Sequence, residues 1–220
     1  MANYVLVHGG NVSTDTWNKL TNSNEYPNGR YLGGECWKYS VIGLEQHGHQ
    51  VFAPDLKDEN ICNLSGHIEQ ICSLILNKNL NNVILVGHSY GGMVITGVAS
   101  KIAERIKILV YLDAAFPDPG QSLFDILKIA GFDPQKVVDG IPLAYTEKLF
   151  YNPDKLKPLS KAYILCTESE FSSVTNIMIQ KINFDSKDWS YFELPTNHFA
   201  QATMPKELNN ILISLSKLNK

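Results

Sequence analysis

The sequence predicts an α/β fold built on a mostly parallel six-stranded sheet with helices on both faces. Three observations carry that expectation. Six short runs read as strands: Tyr4–His8, Gln50–Ala53, Asn82–Val86, Ile108–Leu112, Ala162–Cys166 and Tyr191–Leu194. Most are continuous Val, Ile, Leu and Tyr without polar alternation, as in strands covered on both faces. Segments with helical apolar periodicity fall between them, and strand–helix alternation implies right-handed crossovers between parallel strands.

In chain order, the first strand runs into a His8-Gly9-Gly10 turn. Asn11–Leu32 is polar and breaks the alternation. It reads either as an extra loop over a ligand site or as a solvated loop without a role. Cys36, Trp37, Ser40, Val41 and Leu44 then share one helical face, as do Ile68, Ile71, Cys72 and Ile75. A helix is expected over Met93–Glu104, and another face holds Val174, Ile177, Met178 and Ile182. Leu208, Ile211, Leu212, Leu215 and Leu218 repeat the pattern, with Pro205 near the start, where helices tolerate it. Phe116–Ser160 is proline-rich, with helix-like pieces at Ser122–Ala130 and Leu143–Tyr151. It reads as a small helical cap inserted in a single domain over residues 1–220, placed where open α/β sheets bind ligands.

Composition excludes other classes. With 220 residues, 44% hydrophobic and 19% charged, the chain is neither disordered nor a coiled coil. Lys and Arg number 19 against 22 Asp and Glu, net −3, so no nucleic-acid partner is expected. Apolar runs such as Val83–Val86 are too short to span a bilayer, so no membrane partner is expected either. The N-terminus lacks a basic stretch followed by an apolar one, and the four cysteines form no close pair. Buried thiols in a reducing cytoplasm are the expectation. Neither a metal nor an organic cofactor is expected, and no oligomeric state is assigned.

The sharpest chemical signal is Gly87-His88-Ser89-Tyr90-Gly91-Gly92, between an expected strand and helix. This is G-x-S-x-G in the context that gives the motif meaning. A sharp turn after a strand strains its central residue, so the neighbours must lack bulk, and Ser89 Oγ is left exposed as a nucleophile. The Tyr90 N–H, near a helix N-terminus, and the Gly10 N–H are the expected pair of oxyanion donors.

Serine needs a base. Of six histidines, His8 and His88 flank the proposed site in sequence and are expected to shape turns. His47-x-His49 lacks a third metal ligand nearby, and His67 falls at a helix start. His198 follows the last strand and fits the chain order serine, acid, histidine. Asp113, Glu168 and Glu170 all follow strands, on the edge that carries Ser89, so the residues alone leave the acid open.

Several longer stretches carry a family resemblance. They are Val5–Gly10, Gly34–Trp37, Gly48–Val51 with Ala53–Leu56, Val83–Gly97, Leu109–Ala115, Gly120–Leu123 and Glu193–Thr196 with His198. Together they resemble the α/β-hydrolase superfamily over nearly the whole chain, nearest the small bacterial esterase-like branch related to plant methyl esterases and hydroxynitrile lyases. The resemblance implies the α/β-hydrolase fold, Ser89 as nucleophile, His198 as base, and Gly10 and Tyr90 as oxyanion donors.

Three departures matter. About twenty residues are extra within 11–32 and are expected at the pocket mouth. The branch's usual acid lies two residues past a Thr after the penultimate strand, and here Thr167 is followed at that spacing by Ser169. Tyr111-Leu-Asp113-Ala114 resembles the acid context of other branches one strand earlier, so Asp113 is preferred and Glu170 is the alternative. Phe199 stands where related lyases carry Lys, against cyanohydrin cleavage. The expected activity is cleavage of a small ester through an acyl-enzyme. The alternative is a lyase, cyclase or ligand receptor using the same pocket. Phe116, Leu123, Phe124, Ile126, Leu127, Phe132, Leu149, Phe150 and Tyr151 are the cap's candidate pocket residues.

Overall fold

The computed structural model describes residues 1–10, 12–137, 140–182 and 188–218. Six strands, β1 (Asn3–Val7), β2 (Gln50–Phe52), β3 (Val83–His88), β4 (Ile106–Leu112), β5 (Ser160–Cys166) and β6 (Trp189–Leu194), form one sheet in the order β2-β1-β3-β4-β5-β6. Every pairing is parallel. The helices are α1 (Thr14–Thr21), α2 (Lys38–Gln46), α3 (Leu64–Asn77), α4 (Gly91–Ile102), α5 (Leu123–Ile129), α6 (Pro134–Val137), α7 (Leu143–Thr146), α8 (Ser172–Gln180), α9 (Ala200–Thr203) and α10 (Pro205–Ser216).

The apolar runs have a direct structural cause. Alternate strand residues feed two separate cores. Val5, Val7, Leu85, Leu109, Tyr111 and Tyr163 pack with α3, α4, α8 and the cap. Tyr4, Leu6, Ile84, Val110, Leu112 and Ile164 pack with α1, α2 and α10. Both faces are dry, so neither set of positions can be polar. The register aligns Val7 with Gly87, His88 with Leu112, and Cys166 with Leu194. The turns after β1, β3, β4, β5 and β6 therefore share one edge.

The extra segment departs from both sequence expectations. It is not a loop. Ser13 caps α1 by accepting from Thr16 N–H, and Trp17 is fully buried. Thr14 N–H donates to Arg30 O at 2.8 Å and Leu32 N–H to Val12 O at 3.0 Å, closing the base. Glu25 gathers Trp17 Nε1, Lys38 and Tyr39. Val12, Trp17, Tyr26 and Leu32 join the core on the face opposite the cap. Burial of two large aromatic rings there contributes on the order of 3–6 kcal/mol before entropy. Asn11 lies outside the described residues.

The cap is anchored at several points. The Ser122–Asp125 capping box starts α5. Glu147, just after α7, accepts from Ser65 N–H at 2.7 Å and Ser65 Oγ–H at 2.8 Å in the first turn of α3. The second helical piece is shorter than expected, since the chain leaves α7 at Glu147 with an extended backbone. Among the described residues no helix is long and apolar enough to cross a membrane.

Candidate active site

Ser89 sits between β3 and α4 with φ +55°, a left-handed conformation that costs a non-glycine residue about 1–3 kcal/mol. The surroundings hold it there. Its N–H donates to Leu112 O at 3.2 Å, and its own carbonyl accepts from Gly92 and Ala115 N–H at 3.1 Å each. Two glycines make the turn possible. A Cβ on Gly87 would stand 2.6 Å from Gly91 O, and one on Gly9 would stand 2.6 Å from Ser89 Cβ.

His198 lies in the turn between β6 and α9 and is buried. Its Nδ1–H donates to Asp113 Oδ2 at 2.6 Å. Asp113 follows β4, also with positive φ, +42°, and its N–H is tied to Ile164 O at 2.8 Å. The carboxylate is satisfied on both oxygens. Oδ1 accepts from Cys166 N–H at 3.2 Å, and Oδ2 also takes Ser169 Oγ–H at 2.5 Å. Glu170 reaches the same histidine differently: its Oε2 accepts the His198 backbone N–H at 3.3 Å. Glu168 is exposed, and its backbone N–H donates to Thr196 O at 3.0 Å.

The other histidines are engaged by groups of the protein itself. His88 Nε2 must donate to His198 O at 2.8 Å, because a carbonyl only accepts, leaving Nδ1 to accept from Gln201 Nε2 at 3.3 Å. Both ring nitrogens are satisfied by the neutral form. Burial, with the neighbouring His198 adding to it, holds His88 well below the usual imidazole range. The two rings lie 4.5 Å apart, so His88 braces His198 without competing for its proton. His8 Nδ1–H donates to Gly9 O at 2.8 Å and Nε2 accepts from Leu56 N–H at 2.9 Å, which fixes the glycine turn. His67 Nε2–H donates to Lys57 O and Nδ1 accepts from Tyr90 Oη–H, each at 2.9 Å. His47 donates to Gly43 O, and His49 accepts from Ala2 N–H. Among the described residues no cluster of metal-binding side chains occurs. All four cysteines are free, with Cys62 partly exposed and the other three buried.

Ser89, His198, Asp113, Gly10 and Tyr90 line one cavity of about 350 Å³, at the small end for ligand pockets. Glu170 is outside that lining, and so is every described residue of 12–32, contrary to the expectation that the extra segment covers the mouth. The rest of the wall is mostly apolar: Ala115, Leu123, Leu127, Phe171, Val174 and Phe199. Of the cap residues expected there, Leu123 and Leu127 are present. Phe124, Ile126 and Leu149 are buried in the core instead, and Phe150 points to solvent, 77% exposed. Sequence reasoning missed Tyr145, Phe171 and Thr175 as lining and Ser169 as a partner of Asp113. For Ser169 a signal existed, because it fills the spacing at which the acid was first sought.

A sequence profile of the alpha/beta hydrolase family matches residues 4–210. The carbendazim hydrolyzing esterase of Nocardioides sp. (strain SG-4G) is 41% identical over 136 residues, 58% of this chain and 48% of that protein. The putative methylesterase 11, chloroplastic, of Arabidopsis thaliana is 27% identical over 135 residues, 57% of this chain and 30% of that protein. The aligned part thus spans half or less of these curated relatives. Among solved structures, an extracellular alpha/beta-hydrolase from a Paenibacillus species superposes with TM-score 0.72 at 20% identity, covering 99% of this chain and 100% of that one. A methylesterase from Arabidopsis does so with TM-score 0.70 at 21% identity, with the same coverage. At these identities the likeness to solved structures speaks for the fold.

Proposed function

The chain belongs to the alpha/beta hydrolase family, and from that premise we propose that it is a serine esterase cleaving small, largely apolar esters through an acyl-enzyme on Ser89. The observation that carries this reading is the buried 2.6 Å Asp113–His198 bond, in one cavity with a strained serine. Asp113 holds the proton on Nδ1, so Nε2 is the free base. His198 takes the Ser89 proton as Oγ attacks the ester carbonyl, and Asp113 stabilises the imidazolium. Gly10 and Tyr90 amides hold the oxyanion, a donor of this kind contributing about 3–4 kcal/mol to the transition state. His198 then protonates the leaving alkoxide. Water attacks the acyl-enzyme with His198 again as base, releasing the acid and freeing Ser89. Every group these steps need is a side chain or amide of this chain, or water.

The cavity supports a compact substrate, and the relatives' names, esterase and methylesterase, agree with an ester bond. The test is a panel of esters varied in acyl and alcohol size, run with an organophosphonate probe. Ser89→Ala is expected to lower kcat by about 10⁴-fold or more and to abolish the probe's mass shift. Retained turnover or labelling in Ser89→Ala overturns the mechanism.

A further inference from the structure

Tyr145, on α7 of the cap, is nearly buried and lines the cavity that holds Ser89 and His198. Its hydroxyl lies against the Gly10 backbone: a Cβ built on Gly10 would stand 3.0 Å from Tyr145 Oη. The wall beyond is hydrocarbon from Ala115, Leu123 and Leu127. A phenol oxygen in such a wall is costly unless it finds partners. One is supplied by the loop after β2, where Glu59 Oε1 accepts the Tyr145 Oη–H at 3.4 Å. The same residue grips the helix, since Ala144 N–H donates to Glu59 O at 3.2 Å. The Tyr145 ring packs on Tyr90 with centroids 4.8 Å apart. The two phenols have different fates. Tyr90 Oη is engaged by His67 inside the protein, whereas Tyr145 Oη stands against the backbone of Gly10, the residue whose amide is proposed to hold the carbonyl oxygen.

A phenol carries one proton and two lone pairs. Directed at a carboxylate, that proton is not offered to a ligand. What the oxygen offers is acceptor capacity, which repels an oxyanion and attracts N–H or O–H. With the carbonyl oxygen on the Gly10 amide, as proposed above, an oxygen against Gly10 faces the atoms next to that carbonyl. We propose that Tyr145 is a specificity-determining residue that accepts a hydrogen bond from a donor next to the ester carbonyl. The favoured substrates are then esters bearing O–H or N–H on the adjacent atom, such as 2-hydroxy esters. This rests on the serine-esterase reading above.

The test compares methyl mandelate with its methyl ether, methyl 2-methoxy-2-phenylacetate, in wild type and Tyr145→Phe. Wild type is expected to favour the hydroxy ester in kcat/KM by about tenfold, the scale of one net hydrogen bond. Tyr145→Phe is expected to remove that preference by lowering the hydroxy-ester value alone, leaving the ether within about twofold. Glu59→Gln, which loosens the hold on the phenol proton, is expected to weaken the preference in the same direction. An equal loss on both esters overturns the proposal, since it marks Tyr145 as an oxyanion donor or a packing residue. So does an absence of preference in wild type while p-nitrophenyl acetate is still hydrolysed, and the esterase reading then stands. If no ester is turned over and the phosphonate leaves Ser89 unlabelled, the esterase reading fails and takes this proposal with it.

Discussion

The turns after β4 and β5 each bring a carboxylate to His198, but to different atoms. Asp113 takes the ring proton at 2.6 Å, and Glu170 takes the backbone proton at 3.3 Å. The distinction is chemical. The Nδ1 proton is conjugated through the imidazole to Nε2, so its acceptor sets the tautomer and stabilises positive charge on the ring. The backbone proton is not, so its acceptor fixes where the loop runs and reaches the ring only through space. Burial widens the gap: Asp113 is 2% exposed, while Glu170 faces solvent, where its charge is screened. A carboxylate near a catalytic histidine is therefore identified by the atom it meets, not by proximity.

Asp113→Asn tests the comparison with the largest expected effect. The amide can turn its N–H₂ toward the ring, favour the wrong tautomer and leave Nε2 protonated. We expect kcat to fall by about 10³–10⁴-fold with the fold retained. Steady-state kinetics on the best ester, with a thermal unfolding midpoint, check it. Near-normal kcat in Asp113→Asn breaks the comparison outright.

Ser169→Ala sharpens it from the other side. Ser169 donates to the same Asp113 oxygen that His198 uses, at 2.5 Å. The turn after β5 thus gives a hydrogen bond to the carboxylate that meets the His198 ring. Removing the donor makes the carboxylate more basic. A more basic carboxylate holds the imidazolium more firmly, so the base loses its proton at higher pH. The acid limb of the kcat/KM profile is expected to move upward, with activity below it reduced about three- to tenfold. A merely structural Ser169 would lower stability and leave the limb in place.

How far such roles were readable depends on how local their cause is. The turn holding Ser89 was legible because strand, glycines and helix lie within a few residues of it, and the strain they impose is local. The sheet was legible because both faces are buried. The acid stayed open because a parallel sheet delivers Asp113 and Glu170 to one edge, and only side-chain reach separates them. The 12–32 segment was misread as a loop. Its helix is only about two turns long and carries mostly polar residues, and the rings that pack on Trp17, those of Tyr26 and Tyr39, come from outside it. Tyr145 was missed for a similar reason. A four-residue helix shows no face, and Gly10 and Glu59, which give its hydroxyl a place, lie far away in the chain.

Glu170→Gln carries the smallest expected effect and the finest discrimination. Gln keeps an oxygen that can accept the His198 N–H, so the loop path survives while the negative charge is lost. If Glu170 acts through the backbone alone, kcat and the acid limb of the pH profile stay within about twofold of wild type. If its charge also supports the imidazolium, the limb moves to lower pH, because removing a nearby negative charge lets the ring lose its proton more easily. That direction is opposite to the one expected for Ser169→Ala. The two neighbouring substitutions therefore separate a group that tunes the acid from one that holds the loop, within a single pair of pH profiles.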